Sequence, residues 1–452
     1  MRLIASVLLV CLGLTAACGS SDTDRDSNPG DASGAGAPSM AGTNSAGLAS
    51  SVGGRAGGIS GAASGGAPTE TAGATSLGGA SPAAGSANAG STNGGESSVA
   101  GATSRGGATS QGGTASSGGA SNGGAPPLNP SCKFPAPAGS PVAVHGQLKV
   151  VKAVLQDQAG TPYQLKGASS YWLNWESTKY AESKSALQYM RDNWKLSAFR
   201  AAMGTDASSG YLTSSANATA LQARIDTIVQ NALALGVYVL VDWHTEKAAT
   251  QQAQSIAFFT GLAQKYGACP NLIYEDYNEP TGVTWAQIKP YHQAVVSAVR
   301  AIDPDNLIVL GTPNWSQDVD LAAADPVSGS NLLYTLHWYA CSHKASLRAK
   351  GTTAISRGAA LFVTESAATS ANGGVAPNNT VCEAEANSWY SWMSDNHVSG
   401  IAWKLASGTD SSNIFASGSK PPVDGPFPDS VLSQTNGTSP GHGLFAVNWM
   451  RQ

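Results

Sequence analysis

The chain of 452 residues has no aromatic residue before Phe134, and this boundary constrains its fold more than any other feature. The hundred residues from Asp31 to Pro130 contain 27 of the 53 glycines and only five charged residues. Such a segment lacks the large apolar side chains whose burial offsets the entropy lost on ordering. We therefore expect residues 19–130 to be a disordered linker and residues 131–452 to form one large domain.

Residues 1–18 have the pattern of an export signal. Arg2 precedes a short apolar stretch, Leu3 to Leu14, which is too short to span a bilayer in the mature protein. Small residues then lead to Cys18, as in a bacterial lipoprotein signal whose cysteine is lipidated; the alternative is an ordinary secretory peptide in which Cys18 has no role. We expect an exported lipoprotein of the cell surface or outer membrane, or one later released outside the cell, with the lipid as its only membrane contact.

The net charge and the cysteines indicate which ligands and crosslinks to expect. The net charge of −4 shows no basic excess and argues against nucleic acid. Four cysteines remain beyond Cys18, an even number in an oxidising compartment, and they allow three disulfide pairings. No CxxC motif occurs, which argues against a zinc site. The four are Cys132, Cys269, Cys341 and Cys382.

The part after the linker alternates short apolar runs with stretches of helical spacing. The runs predicted to be strands are 163–165, 198–200, 237–241, 272–274, 307–310, 332–336, 361–363 and 401–403. Helical spacing occurs over 218–235, 285–302 and 382–393. Eight apolar strands separated by helices predict an α/β fold, a single (β/α)₈ TIM barrel. A hairpin over 146–165, with turn residues at 158–160, is expected to cap its lower end.

Polar and aromatic residues at the strand ends predict a carbohydrate site, because the chemistry of such barrels lies at the carboxyl ends of the strands. Retaining glycoside hydrolysis needs two carboxyl groups about 5–5.5 Å apart. Glu279 ends the fourth strand and Glu365 the seventh, so the two can face a sugar from opposite sides of the barrel. Two glutamates taken alone are more often surface or salt-bridged residues, so the context has to decide.

An ordered set of motifs makes residues His145 to about Val447 resemble glycoside hydrolase family 5 of clan A, and within it the bacterial endoglucanases. Together the motifs cover essentially the whole folded part. They are QLKG at 164–167, FRAAM at 199–203, VDWH at 241–244, IYE at 273–275, NEP at 278–280, QIKPY at 287–291, WSQDV at 315–319, HWYA at 337–340 and FVTE at 362–365.

The resemblance implies a role for each residue around the cleaved bond. Glu279 would be the acid/base and Glu365 the nucleophile of a retaining mechanism. Tyr339 would hydrogen-bond Glu365 and keep it ionised, and Arg200 would brace the same carboxylate. Asn278 would bind the sugar 2-hydroxyl, a contact that strengthens as the transition state forms.

Further residues are implied to line the cleft. His244 and His337 would flank the subsite at the cleaved bond, and His343 is a candidate for substrate contact in the next loop. Trp403 would be a sugar platform at the end of the eighth strand, and Trp315 a platform one sugar further along. Aromatic faces suit sugars because the C–H surface of a pyranose is apolar.

Each of these residues also has a purely structural alternative. Arg200 could be an interior ion pair with Glu275, the two histidines could be satisfied interior residues, and Trp403 could be core packing. Asp242 and Glu275 are interpreted as supporting residues. Glu246, on the loop after the third strand, is interpreted as solvated.

The sequence departs from the family at three positions, all around the non-reducing-side subsites. The first strand usually ends with histidine, where this chain has Tyr171 followed by Trp172. Where the family has a tyrosine after FRAAM, this chain has Gly204. Where the family has Trp-Gly after the nucleophile, this chain has Ser366 followed by Ala367. Tyr171 and Trp172 are candidates to refill the space left by Gly204 and Ser366, and Tyr171 is a further candidate for substrate binding.

Placement in the family's barrel also implies the disulfides and the cofactor requirement. Cys341 and Cys382 fall in loops on the active-site face, whereas Cys132 and Cys269 fall on the opposite face. The implied disulfides are Cys341–Cys382 and Cys132–Cys269. No metal and no organic cofactor are implied, since two carboxylates suffice.

Three functions remain open from the sequence. The first is a monomeric, retaining endo-β-1,4-glucanase, a cellulase with a polysaccharide substrate. The second keeps the mechanism but changes the glycan to mannan, xyloglucan or mixed-linkage glucan. The third is a surface carbohydrate-binding protein that has lost catalysis. The altered subsite residues motivate the last two.

Overall fold

The computed structural model describes residues 132–372, 380–436 and 439–452. The expected signal peptide, the lipidation site Cys18 and the expected linker lie outside these residues. The described part opens with helix α1 (Pro141–His145) and a hairpin of strands β1 (Lys149–Val151) and β2 (Val154–Gln156). Within the described residues, no helix has both the length and the apolar character needed to cross a bilayer.

The hairpin is present, but its turn was wrongly predicted. The strands connect through Lys152 and Ala153, with φ of 48° and 65°, rather than through 158–160. Two central left-handed residues give a tight turn whose twist matches that of the strands. The predicted turn is a second one, at which Asp157 Oδ1 accepts a hydrogen bond from Thr161 N at 2.9 Å.

Eight parallel strands form the closed barrel that the sequence predicted. All their central residues are buried, as expected for strands covered on both faces. A two-residue strand, β9 (Trp338–Tyr339), pairs with the seventh barrel strand. The barrel strands are β3 (Lys166–Ser170), β4 (Ala198–Gly204), β5 (Tyr238–His244), β6 (Leu272–Glu275), β7 (Leu307–Leu310), β8 (Leu332–Thr335), β10 (Leu361–Ala367) and β11 (Ser399–Leu405).

The prediction for the first barrel strand was wrong: it begins at Lys166, just after the predicted run 163–165. The four residues after Lys166 are small and carry little intrinsic strand preference, so the pattern missed them. Gly167 shows why they are small. A Cβ there would lie 1.8 Å from the carbonyl oxygen of Ala198 on the neighbouring strand.

Helices lie between successive strands, and the predicted ones are confirmed with small shifts at their ends. In α3, one face buries Leu221, Ile225 and Val229 against the barrel, the pattern of an amphipathic helix. The helices after α1 are α2 (Lys184–Tyr189), α3 (Ser215–Leu235), α4 (Gln252–Tyr266), α5 (Trp285–Arg300), α6 (Pro313–Ser316), α7 (Val319–Ala324), α8 (Ala345–Ser356), α9 (Glu383–Asp395) and α10 (Gly443–Met450).

Side chains alternate across each strand between the barrel interior and the helical layer. In β5, Tyr238 and Leu240 belong to the interior cluster closed off by the hairpin, whereas Val239 and Val241 pack against helices. The next interior-facing residue toward the carboxyl end of β5 is the charged Asp242. The interior face of this one strand therefore passes from the apolar core to the polar site.

Strand β10 breaks this alternation where it matters for the site. Its pairing with β11 shifts register between Val363 and Ser366, so three steps on β10 match two on β11. Phe362 and Thr364 face the interior, and regular alternation would turn Glu365 outward. The irregularity re-aims Glu365 into the barrel mouth, as bulges beside active sites commonly do.

Both disulfides implied by the resemblance are present, Cys132–Cys269 and Cys341–Cys382. Converting Cys132 and Cys269 to serine is expected to lower the free energy of unfolding by about 3–5 kcal/mol, because this crosslink restricts a long loop in the unfolded chain. Denaturant unfolding followed by fluorescence measures the change. The matched control is the Cys341/Cys382 double serine variant. It opens a loop of 41 rather than 137 residues, so its free energy of unfolding is expected to fall by less. An equal or larger loss from the control would contradict the entropic account.

Candidate active site

Glu279 and Glu365 meet at the carboxyl end of the barrel. One oxygen of each lies within 4.8 Å of the other and of a ring nitrogen of His337. Glu279 follows β6, its side chain is 19% exposed to the cleft, and its Oε1 is 2.8 Å from His337 Nδ1. Two strands that are far apart in sequence thus bring their terminal carboxyl groups to opposite sides of one small space.

Arg200 organises the floor of this space. Its side chain is fully buried and contacts three carboxylates, at 2.8 Å to Asp242, 2.8 Å to Glu275 and 3.3 Å to Glu365. Its Nη2 also donates to Asn278 Oδ1 at 2.7 Å. Burial alone would lower the pKa of Arg200, but the three carboxylates raise it above its ordinary value, so it remains a cation.

Two of the acidic groups around Arg200 depend on its charge. Burial raises the pKa of Asp242 and that of Glu275 to about 7, although Arg200 acts to lower both. Asp242 also accepts from His244 Nδ1 at 2.5 Å, and Glu275 accepts from Thr364 Oγ1 at 2.6 Å. These contacts agree with the interpretation of Asp242 and Glu275 as supporting residues. The structural alternative for Arg200 is also realised, since it pairs with Glu275 while bracing Glu365.

Tyr339 holds the other oxygen of Glu365. Its hydroxyl donates to Glu365 Oε1, and burial together with the charge of Glu365 raises the pKa of Tyr339 well above its ordinary value. The phenol therefore keeps its proton and remains a donor. His343, expected to contact substrate, accepts from Tyr339 N through Nδ1 at 3.0 Å and fixes the backbone there.

The two strand-end histidines are buried, and burial lowers the pKa of His244 to about 3 and that of His337 to about 4. Both are therefore neutral near pH 7. Thr364 Oγ1 contacts His337 Nε2 at 2.9 Å and donates its single proton to Glu275. The Thr364 hydroxyl oxygen therefore accepts a hydrogen bond from His337 Nε2. Because a neutral imidazole carries only one N–H, Nδ1 of His337 is then an acceptor. The partner of Nδ1, Glu279, is then the donor and carries a proton.

The acidity of Glu279 agrees with this hydrogen-bond assignment. Burial, followed by the negative charge of Glu246, raises the pKa of Glu279 to about 8, against the opposing charge of Arg200. The carboxyl is thus mostly protonated at neutral pH. Glu279, His337 and Glu365 also form a group of possible metal ligands among the described residues, but the proton shared by Glu279 and His337 already satisfies two of them.

Aromatic residues form the walls of the site. Trp403, buried with only 5% exposed, lies parallel to His244 at 5.6 Å between ring centroids, and Tyr171 packs edge-on against it at 6.2 Å. Trp315 is 39% exposed, and its backbone N donates to the Pro280 carbonyl at 3.1 Å. Trp403 therefore lines the site although it is largely core, whereas Trp315 offers an open face beside the Glu279 segment.

The structure shows what occupies the space beside Gly204. A Cβ at Gly204 would lie 2.0 Å from Asn174 Oδ1 and 2.8 Å from Trp172 Cε3. Trp172 therefore refills this space together with Asn174, while Tyr171 packs on Trp403 instead. Ser366 is buried, and its hydroxyl donates to the Ile401 carbonyl at 2.9 Å.

Sequence reasoning missed several residues of the site. Thr364 connects His337 to Glu275, and the only signal was a hydroxyl residue directly before the strand-end glutamate. Trp175, 43% exposed, stacks on Trp172 at 4.5 Å, and an aromatic residue among polar ones in the loop after β3 could have marked it. Lys404 lies 5.0 Å from the Tyr171 ring and 2.6 Å from Asp410, with no signal in the sequence.

Fold and site together define a (β/α)₈ barrel with a close carboxyl pair in a cleft walled by aromatic residues. The profile of the family described as Cellulase (glycosyl hydrolase family 5) matches residues 156–408, more than half of the sequence. The chain belongs to glycosyl hydrolase family 5.

Individual relatives agree with this assignment. Endoglucanase Z of Dickeya dadantii is 42% identical over 257 residues, 56% of this chain and 58% of the relative. An endoglucanase of Clostridium saccharobutylicum is 40% identical over 293 residues, 64% of this chain and 63% of the relative. The chain thus spans about three fifths of these curated relatives. The solved catalytic domain of Thermobifida fusca endoglucanase Cel5A, in complex with cellotetraose, matches with a TM-score of 0.61 at 28% identity, over 70% of this chain and 100% of that one.

Proposed function

We propose that the protein is a retaining endo-β-1,4-glucanase, a cellulase. The observation that carries the mechanism is the separation of the two carboxyl groups, whose nearest oxygens lie within 4.8 Å. Inverting enzymes hold their carboxyl groups about 6.5–9.5 Å apart to admit a water between them. The space between Glu279 and Glu365 suits direct attack on the sugar instead.

In the first step, Glu365 attacks the anomeric carbon while Glu279 donates its proton to the glycosidic oxygen. The bond from the anomeric carbon to that oxygen breaks, the leaving chain departs as an alcohol, and a covalent glycosyl-enzyme forms. In the second step, Glu279, now a carboxylate, takes a proton from water as that water attacks the anomeric carbon and releases Glu365.

The contacts of Glu365 support its proposed role as nucleophile. The Arg200 cation and the Tyr339 hydroxyl each donate to one oxygen of Glu365, which fixes the orientation of its carboxyl group. Asn278 is held by Arg200 beside the pair, as a ligand for the sugar 2-hydroxyl requires. His244 and His337 flank the reacting sugar as neutral groups, and Trp403, Trp315, Tyr171 and His343 complete the proposed substrate contacts.

The substrate proposal depends on the relatives as well as on the cleft. Two relatives are named endoglucanases, and the matched Thermobifida fusca domain was solved with cellotetraose. A second glycan remains a specific candidate because Trp172 fills the space above Gly204, which reshapes the wall near His244. Mannan, xyloglucan or mixed-linkage glucan would then replace cellulose under the same mechanism.

The test is reducing-sugar release by the purified protein from carboxymethylcellulose, mannan, xyloglucan and mixed-linkage glucan, with Glu365→Ala as the control. Release from carboxymethylcellulose by the parent alone supports the proposal. Release only from another glycan moves the assignment to that glycan. Binding without release from any of them would favour a carbohydrate-binding protein that has lost catalysis.

We further propose the organisation of the whole chain. Residues 1–18 are a lipoprotein signal, Cys18 is the lipidated N-terminus, residues 19–130 are a low-complexity linker and residues 131–452 are the catalytic domain. A Gly-rich coil of about 110 residues has an r.m.s. reach on the order of 55–60 Å, which suits a monomer held away from a cell surface. Metabolic labelling with a fatty acid, with Cys18→Ser as the control, tests the anchor.

The charge of Glu246 gives a pH prediction for the acid/base. Because a nearby negative charge disfavours ionisation of Glu279, Glu246→Gln is expected to lower the pKa of Glu279. The protonated acid is then lost at lower pH, so the basic limb of the kcat/KM profile shifts to lower pH by a fraction of a unit. The exposed Glu383, at the start of α9, provides the control Glu383→Gln. A shift to higher pH, or an equal shift in the control, would contradict the assignment.

A further inference from the structure

The loop that follows β3, residues 171–182, forms one wall of the cleft. Trp172 packs edge-on against His244 with ring centroids 4.2 Å apart, and Trp175 stacks on Trp172 at 4.5 Å and 15°. Trp175 presents its outer face to solvent. The position of this loop therefore sets where two aromatic rings stand relative to the reacting sugar.

Arg224, on α3, reaches this loop from behind. Its Nε and Nη2 contact the Glu182 carboxylate, and Nη2 also contacts Glu176 Oε2 at 2.9 Å. Its Nη1 donates to the Leu173 carbonyl and, at 3.4 Å, to the Glu176 carbonyl. One guanidinium thus ties the start of the loop, its middle and its end to a barrel helix.

The carboxyl groups that Arg224 binds are poorly hydrated. The Glu176 side chain is 4% exposed and that of Glu182 is 12% exposed. Burial and the charge of Glu182 raise the pKa of Glu176 to about 8, and Arg224 is the group that opposes them. Without Arg224, two buried carboxyl groups would face each other and two backbone carbonyls would lose a donor.

The other anchors of the loop are individually weaker and neutral. Leu173 N donates to the Ala202 carbonyl at 2.9 Å, and Asn174 Nδ2 and Trp175 Nε1 both donate to the Ser208 carbonyl at 2.9 Å. They hold the tryptophan side of the loop. Its end is also held by neutral groups, since Asn231 Nδ2 donates to the Glu182 carbonyl at 2.9 Å and the Tyr180 hydroxyl donates to the Pro421 carbonyl at 3.1 Å. Lysine could not replace Arg224 fully, because a single ammonium group lacks the planar fork that reaches several acceptors.

We propose that Arg224 is a positioning residue for substrate binding: by fixing residues 171–182 it holds Trp172 and Trp175 as a wall for the glycan. This inference rests on the proposed glucanase function. Arg224 touches neither Glu279 nor Glu365, so its effect falls on glycan binding and not on bond cleavage.

The experiment compares Arg224→Met and Arg224→Lys with the parent on cellohexaose and on an aryl β-cellobioside. For Arg224→Met, KM for cellohexaose is expected to rise about tenfold, equivalent to about 1.4 kcal/mol of lost binding, with kcat changed less than about twofold. KM for the aryl β-cellobioside is expected to rise as well, because its two sugars bind on the same non-reducing side, and Arg224→Lys lies between the parent and the methionine variant.

The matched control is Arg348→Met. Arg348 has the same side-chain exposure of 16%, pairs with Glu385 and lies over the ring of Trp389, away from the loop. Its loss removes a comparable ion pair and is expected to leave both KM values unchanged. An equal rise in KM in Arg348→Met, or a fall in kcat alone in Arg224→Met, would overturn the proposal.

A second readout separates this inference from the proposed function. Hydrogen exchange of the backbone amides of 172–182 is expected to accelerate in Arg224→Met and to stay unchanged in Arg348→Met. If the parent cleaves neither substrate, the glucanase proposal fails, and cellohexaose affinity measured by tryptophan fluorescence replaces KM. Unchanged affinity and unchanged exchange in Arg224→Met would refute the positioning role whatever the activity of the parent.

Discussion

Replacing Glu365 with alanine is expected to lower kcat on carboxymethylcellulose by at least about 10⁴-fold, because no other group can form the covalent intermediate. The fold should survive, since Arg200 keeps Asp242 and Glu275 as partners. The substitution also leaves a small space on the face from which Glu365 attacks. Sodium azide is expected to enter that space and restore cleavage of an aryl β-cellobioside, giving a glycosyl azide of inverted configuration.

The stereochemistry of the azide product identifies the role of Glu365, and nuclear magnetic resonance of the product reads it directly. Glu365→Gln is the control: it fills the same volume with a poor nucleophile, so it should be as inactive but resist rescue. A retained configuration in the azide product would contradict the assignment. Loss of the circular dichroism spectrum in either variant would show instead that Glu365 is needed for folding.

Replacing Glu279 with alanine is expected to lower kcat on carboxymethylcellulose by about 10²–10⁴-fold, because the departing sugar then leaves as an unprotonated alkoxide. An aryl β-cellobioside with an acidic phenol needs no proton, so formation of the glycosyl-enzyme should be nearly unaffected. Its release by water loses the general base, and the intermediate accumulates. A burst of phenol followed by a slow steady state, with a lowered KM, is the expected signature.

The pH profile provides the control for this second prediction. Because the pKa of Glu279 is raised to about 8, the parent should lose activity as pH rises through that value. In Glu279→Ala, that basic limb should disappear for the aryl substrate. Azide should raise the steady-state rate of Glu279→Ala on the aryl substrate. The product should be a glycosyl azide of retained configuration, the opposite of the Glu365→Ala product. Equal losses on both substrates without a burst would count against an acid/base role.

The two predictions differ because the surroundings of the two carboxyl groups differ. Glu365 contacts a cation and a phenolic donor, which hold its two oxygens in place for attack. Glu279 contacts the acceptor nitrogen of a neutral histidine and lies near the charge of Glu246, which favour the acid. Two glutamate side chains thus take different roles, nucleophile and acid/base, because their neighbours differ, as the retaining mechanism requires.

Much of the architecture could be predicted because it depends on local patterns. Eight apolar runs separated by helical spacing indicated the barrel, and the strand ends supplied Arg200, Glu279, Glu365 and Tyr339. The first barrel strand was misplaced because Gly167 and its small neighbours are required by contact with β4, which no local preference records. The hairpin turn at Lys152 and Ala153 was missed for a similar reason, since neither residue is typical of a left-handed turn.

By itself, the sequence determined the barrel, its family and the identity of the carboxyl pair, because hydrophobic periodicity and ordered motifs are properties of contiguous residues. Only the tertiary structure decided how those groups are tuned. Three features join segments that are far apart in the chain. They are the register shift that turns Glu365 inward, the packing of Trp172 against Gly204, and the hydrogen bonds from Arg224 to the loop after β3. Such contacts depend on the packing of the whole barrel, and packing is a property of the folded molecule that no short stretch of sequence contains.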